Sequence, residues 1–537
     1  MSVIRMAGFM GENRALDPML LPPGVGVYSR NQKPGRGNLL PWKQTTTVAT
    51  VPSGRATIYR MGRDVASDSQ YWLSWTTVVH AMRGFDAGDT TERTFYTGDG
   101  VPKVTDNTIA LATAPYPTAS RPLGLPAPAT GPILSGATGG TGSNASYFYA
   151  YTYVNDWGWE SAPSPPSLLL TRKVDDSVTI GSFAAVPAGN YGVTLVRIYR
   201  TQSTASGDAS FFFLREIAVG VSTATDDNRA LGEVLPTTTW LAPPADLSFL
   251  TALWNGMAAG ISGGVVRVCE PYTPYAWPAA YDVVPPDSKA VGLGVFGQSL
   301  LVLTTGRPLL ISGSGPDSLD QQRLEIPQAC IAPRSVVNMG SGVAWASPDG
   351  LCFYGQGGAR ILTNGIMLRD DWQALVPSSI TGQMYEGLYF GSYDDGSGRK
   401  GFVINPGDPQ GMYFLDGAYT ALHFDDLQDQ LYVLSSTNIQ RWDSGASSMT
   451  TTFRGKLERL PRPMPSFACA EVTATTYPVT FKVYADGVLK HTQSVTSSAP
   501  FRLPAGFYAT NWQLELSGTG AIQGAAMAHS VQELAQV

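Results

Sequence analysis

Four histidines, His80, His423, His491 and His529, stand far apart in the 537-residue sequence. None lies four residues from another and none neighbours a cysteine, so no single element presents an imidazole pair to a metal. His423, within Leu422-His423-Phe424-Asp425-Asp426, has carboxylates beside it and could act as a base, but it reads as an ordinary half-buried side chain. A glycan hydrolase built on β-structure needs two carboxylates facing across a cleft. The doublets on offer are Asp370-Asp371 and Asp425-Asp426. Adjacent residues of a strand point to opposite faces, so neither doublet makes a facing pair by itself. Asp394-Asp395-Gly396-Ser397-Gly398 has closely spaced oxygens but lacks the distal bidentate Glu of a calcium loop, and reads as a turn tip. Ser347-Pro348-Asp349-Gly350 has the look of an Asp-box turn without its Thr-Trp ending, and reads as a hairpin turn. No nucleophile elbow, phosphate loop or dinucleotide fingerprint is present, and Gly136–Gly142 lacks the Lys of a phosphate loop. The expectation is a non-enzymatic protein with no catalytic residues, no metal and no cofactor.

The composition points to β-structure. The chain holds 58 Gly and 39 Pro, abundant Ser and Thr, and only 15% charged residues. That is the make-up of many short strands joined by tight turns, and it opposes intrinsic disorder. The length predicts several domains. The net charge of −6 excludes a general nucleic-acid binder. Charge is uneven, however. Residues 1–63 carry nine basic residues (Arg5, Arg14, Arg30, Lys33, Arg36, Lys43, Arg55, Arg60 and Arg63) against Glu12 and Asp17. Cys269, Cys330, Cys352 and Cys469 form no CxxC and sit in apolar runs, so buried free thiols are expected, as suits assembly in a reducing cytoplasm. No apolar run approaches 18 residues and no secretory signal is evident, so no membrane anchor is expected.

The fold expected is all-β: a β-propeller-like platform with an inserted fibronectin III-like sandwich and a C-terminal β domain. Residues 1–50 are broken by Leu21-Pro22-Pro23-Gly24 and Lys33-Pro34-Gly35-Arg36-Gly37. They read as an extended basic arm laid on another surface. Residues 51–122 supply the first blade or blades, and 123–142 are a Pro/Gly/Ala/Thr linker. Residues 143–242 have about seven short strands, enough for a small sandwich. Across 243–450, five strand starts (Asn255, Ser299, Gly342, Gly387 and Asp429) recur every 42–45 residues. Each is followed by a turn and a second strand. This is the period of propeller blades, with a run of hairpins in a sandwich as the rival. Residues 451–537 form the last β unit, with a hairpin turn at Asp486-Gly487 and a short helix at Val531–Ala535.

Two segments carry a family resemblance. Gly11-Glu12-Asn13-Arg14-Ala15-Leu16-Asp17-Pro18-Met19-Leu20-Leu21-Pro22, with Ser29-Arg30-Asn31, looks like the openings of phage tail proteins. Phe501–Gly506, Trp512–Gly518 and Met527–Ser530 with Glu533-Leu534 resemble the tail nozzle, or tail tubular protein B, of short-tailed bacteriophages. Tyr149–Ser164 and Arg197–Thr201 resemble the fibronectin III-like inserts of many phage tail proteins. The resemblance implies a virion tail component, assembled in the bacterial cytoplasm. It would be a homohexameric ring below the portal or adaptor, contacting tail fibres or spikes and conducting genomic DNA without binding it specifically. The alternatives are a receptor-binding or baseplate tail protein and, further off, a propeller glycan hydrolase.

Two residue sets follow as site candidates. The arm residues Leu20, Leu21, Tyr28, Arg30, Lys33, Arg36 and Trp42 would dock on an acidic surface of a neighbouring copy or adaptor. Between Asp370 and Gln430, ten acidic residues meet only Arg399 and Lys400. Of these, Asp394, Asp395, Asp425 and Asp426 lie nearest turn tips and would line the channel.

Overall fold

Strand accounts for 46% of the chain and helix for 5% in the computed structural model, so the protein is all-β. The structure describes residues 3–62, 67–203 and 209–535. The chain divides into two compact units. One comprises Met1–Thr76, Val291–Leu310 and Gln322–Val537; the other comprises Thr77–Ala290 and Ile311–Gln321.

The first unit contains four of the five repeat starts. The central strands Gly342–Ser347 and Gln430–Ser435 are almost wholly buried, so they read as continuous apolar runs rather than alternating ones. The reason is that each sheet is covered on both faces, with successive side chains entering different cores. Val343 and Trp345 join Leu301 and Leu303, whereas Ala344 and Ala346 join Tyr389, Phe402 and Ile404. Phe390 and Val403 face the other way, onto Leu431, Val433 and Trp442. Tyr432 and Leu434 turn to Ile58 and Trp72. Antiparallel sheets are thus stacked in chain order with an apolar layer between each pair, a propeller-like arrangement. The turn pairing Tyr385 with Leu388 has φ of 49° at Glu386 and 72° at Gly387, the left-handed pair that a two-residue hairpin demands.

The expected strand starts at Ser299, Gly342, Gly387 and Asp429 coincide with strands Ser299–Thr304, Gly342–Ser347, Leu388–Asp394 and Gln430–Ser435. The start at Asn255 falls on Ala258–Ser262 in the second unit.

Residues 1–50, read as an extended arm laid on another surface, pair with strands of their own chain. Ile4–Ala7 pairs with Ile522–Ala528, Tyr28–Arg30 lies between Tyr413–Leu415 and Thr451–Arg454, and Thr46–Thr50 completes the sheet of Asn438–Arg441. The segment therefore uses sheet edges of its own chain, which would otherwise leave backbone donors and acceptors unpaired. The last β unit is a sandwich. One inner face presents Phe453, Phe481, Val483, Trp512, Leu514 and Leu516, and the other Ile4, Met6, Val472, Ile522 and Met527. Asp486-Gly487 forms its hairpin turn, and Val531–Leu534 is helical.

In the second unit, Tyr149–Asn155, Val193–Ser203 and Ala209–Ala218 form one sheet, and Ile133–Thr138, Ser177–Gly181 and Thr223–Asp226 another. Tyr149, Tyr151, Tyr153, Val178, Ile180 and Ile198 fill the core of this sandwich. The reading of 123–142 as linker is corrected in its second half, because Ile133–Thr138 pairs with Ser177–Gly181. It is a mostly exposed edge strand and carries no apolar alternation.

Candidate functional site

Glu12 organises the N-terminal segment. Its backbone pairs with Met412, and its carboxylate, 3% exposed as a residue, accepts from Arg14 Nε at 2.6 Å, Ser29 N at 3.0 Å and Arg30 Nη1 at 2.8 Å. A buried carboxylate needs this number of charged and backbone donors to offset its desolvation. Asn13 Oδ1 accepts from Ala15 N and Leu16 N, while its amide donates to Gly365 O. Asn31, at φ 53°, donates to Asp416 Oδ2 and Thr450 O and accepts from Asp416 N. The polar residues of the opening motif thus knit the first thirty residues to Tyr413–Leu415 and Thr451–Arg454, which in turn pairs with Tyr508–Gly518.

This placement corrects the reading of Leu21 and Trp42 as available to dock on a neighbouring copy or adaptor, because both are buried in their own chain. Leu21 is 3% exposed and Trp42 fully buried, the latter packed on Trp442 at 5.5 Å. Arg30 lies over the rings of Tyr28 and Phe414. Lys33 bonds Glu386 at 2.9 Å and Asp443 at 2.7 Å. Burial works against its charge, but these two carboxylates hold its ammonium above the ordinary lysine value. The acidic surface the basic segment seeks is therefore its own chain's. Only Leu20, 72% exposed, and Arg36 project from it among the arm candidates. Arg63 lies outside the described residues.

The acidic candidates separate. Asp425 is buried and ion-paired to Arg60 at 2.9 Å, so it cannot line a channel. Burial of Asp425 follows from its place at the end of strand Ala421–Asp425, against Thr57–Arg60. Asp426 is exposed on the following turn. Asp394 and Asp395 flank the tip of a hairpin whose oxygens serve the turn itself. Asp394 accepts from Gly396 N, and Asp395 from Ser397 N, Ser397 Oγ and Lys400 Nζ. The Lys400 bond, then those from Ser397, hold the Asp395 carboxyl well below the usual carboxylate range. Ser347-Pro348-Asp349-Gly350 is a hairpin turn, with Ser347 opposite Gly350.

Next to Asp425, His423 packs against the rings of Tyr59 at 5.3 Å and Trp72 at 5.8 Å. Asp68 accepts from Tyr432 OH and Arg441. Sequence reasoning missed this cluster because its members are about 365 residues apart. Its arginines are matched to its carboxylates, so it joins elements. Among the described residues no group of three or more His, Cys, Asp or Glu could hold a metal ion, and no helix is long and apolar enough to cross a membrane.

No family model and no curated protein matches the chain. Similar solved structures include the dihydro-heme d1 dehydrogenase NirN, at 12% identity over 67% of this chain and 74% of that one, with a TM-score of 0.24. An exo-beta-1,3-galactanase from Phanerochaete chrysosporium matches at 10% identity, 65% and 93% coverage and a TM-score of 0.17. PorZ, a surface component of the type-IX secretion system of Porphyromonas gingivalis, matches at 10% identity, 86% and 77% coverage and a TM-score of 0.25.

Proposed function

We propose that this chain is a structural protein of a bacteriophage tail, a nozzle that forms a closed ring, six copies by family resemblance, below the portal or adaptor. The observation that supports this reading is the joining of the two resembling segments. The Glu12–Asn31 motif and the Trp512–Gly518 motif lie on either side of Thr451–Arg454 in one sheet. Residues almost 500 positions apart thus make one body, and the polar motif residues have a definite structural task there.

In this reading the ring conducts genomic DNA without gripping it. Exposed Asp426 and the hairpin-tip pair Asp394 and Asp395 remain the lumen candidates; Asp425 does not. Duplex DNA carries a negative charge about every 1.7 Å. An acidic wall repels it, weakly per pair because screening acts within about 8 Å at physiological salt, and cyclic repetition multiplies the effect. Tail fibres or spikes and the adaptor are the expected partners, and the virion tail is the expected location. Mass spectrometry of purified virions of the encoding phage tests the assignment. The chain is expected in the particle at tail-protein copy number. Its absence from particles that infect normally would overturn the reading.

A further inference from the structure

The second unit holds a cavity of about 430 Å³ bounded by the loop 84–93, Trp159 and the Tyr272–Pro274 corner. The loop is fixed by its own carboxylates. Asp89 accepts from Thr91 N, Thr91 Oγ1 and Arg93 N, and Asp86 accepts from Gly88 N. Although burial opposes it, these bonds, that of Thr91 foremost, hold the Asp89 carboxyl below its ordinary value. Loop 84–93 is thus a formed wall.

Arg93 is the unexplained side chain. Its guanidinium lies 4.6 Å from the Trp157 ring centroid and 5.6 Å from that of Trp159. Trp159 is itself stacked on Tyr275 at 4.6 Å, so the cation rests on a rigid aromatic base. Its Nε is buried without an acceptor, and the Asp89 carboxylate acts on the cation through space. A planar donor fork held in place without an acceptor is suited to an incoming oxygen.

Tyr272 supplies the opposite character. It is 68% exposed, yet it is locked at φ 59° with its N–H on Gly256 O at 2.8 Å. One ring face rests on the bare backbone of Gly256, where a Cβ would come within 2.6 Å of the ring. The Phe85 ring meets it edge-on at 6.4 Å. The cavity therefore joins immobilised aromatic surface to two carboxylates, Asp86 and Asp89, and one cationic donor, Arg93, whose Nε has no acceptor.

The geometry points to a binding site for a neutral hexopyranose, as a mono- or disaccharide unit of a glycan. A pyranose has an apolar C–H face for the Tyr272 and Phe85 rings, and a rim of hydroxyls that both donate and accept. A purely apolar ligand would leave Arg93 unanswered. An anionic one would meet two carboxylates, Asp86 and Asp89, against a single cation. The volume lies within the range of about 300–1,000 Å³ usual for small-molecule sites. This inference does not depend on the nozzle reading and adds a ligand to a protein proposed only as a conduit.

The test is saturation-transfer NMR and calorimetry on the full-length chain with the methyl pyranosides of glucose, galactose and mannose, and with methyl glucuronide as the acidic arm. Millimolar binding of at least one neutral hexoside is expected. It should weaken about tenfold or more in Tyr272→Ala and in Arg93→Met, with Tyr272→Ala unfolding at the wild-type temperature because its ring is mostly exposed. Absence of transfer from every neutral hexoside overturns the inference, as does binding that neither substitution weakens. Binding of the glucuronide alone overturns the choice of a neutral sugar.

Discussion

Arg60 Nη1 and Asp425 Oδ2, 365 residues apart, meet at 2.9 Å with side chains only 2% and 1% exposed. Such a pair stabilises little relative to well-packed apolar residues, but losing one partner strands a buried charge, at a cost of about 3–5 kcal/mol. Arg60→Ala or Asp425→Ala should each lower the unfolding free energy of the first unit by that order. Arg60→Ala with Asp425→Ala together should cost clearly less than the two single changes summed. Urea unfolding measures this, and strictly additive losses would argue against the pair.

Deleting residues 1–45 should destabilise the first unit rather than merely free it from a partner. The deletion removes Ile4–Ala7 from beside Ile522–Ala528 and Tyr28–Arg30 from between two strands. It also removes the fully buried side chains Leu39 and Trp42. Burial of each large apolar side chain contributes about 1.5–3 kcal/mol, so the sum approaches the whole stability of a domain. Circular dichroism and thermal unfolding of the truncated chain should show a lost or much lowered transition. A truncated protein that melts like the full chain would contradict the placement.

Glu515 predicts a pH dependence. Burial works against its charge, but Lys482 at 2.8 Å and Arg454 at 2.6 Å hold it below its ordinary value. A depressed carboxylate stabilises fully above its unfolded value of about 4.3 and loses that contribution as pH falls through the folded value. Glu515→Gln should therefore cost about 1.5–3 kcal/mol at pH 7, with the difference from the parent shrinking steadily below pH 4. Parallel unfolding curves at pH 7 and below pH 4 check the sign.

Cys269, Cys330 and Cys352 are buried free thiols, each pushed up to about 12 by burial. Only the thiolate is nucleophilic. At pH 7.5 iodoacetamide should leave all three unmodified in the folded chain and label them in urea, as read by intact mass. Rapid labelling of any of them without urea would contradict the packing.

The blade repeat was legible because each sheet is buried on both faces, which makes Ser299–Thr304 and Gln430–Ser435 near-continuous apolar runs at a regular interval. The N-terminal strands were not. Thr46–Thr50 is mostly exposed along an edge, and Gln32–Lys33 and Leu40–Pro41 are only two residues each. Their partners lie hundreds of residues away, so a local reading finds breakers and basic side chains but no strand. The same distance hid the burial of Asp425, because nothing around it announces Arg60. The acidic partners of Arg30 and Lys33 in the basic segment are Glu386, Asp416 and Asp443 of the same chain.

The ring is the central claim, and electron microscopy of the purified full-length chain tests it most directly. A tail nozzle predicts closed annular particles with an open centre and sixfold symmetry in end views, formed from the chain alone or with its adaptor. Particles the size of a single chain at every concentration, with the adaptor present as well as without it, would contradict the account.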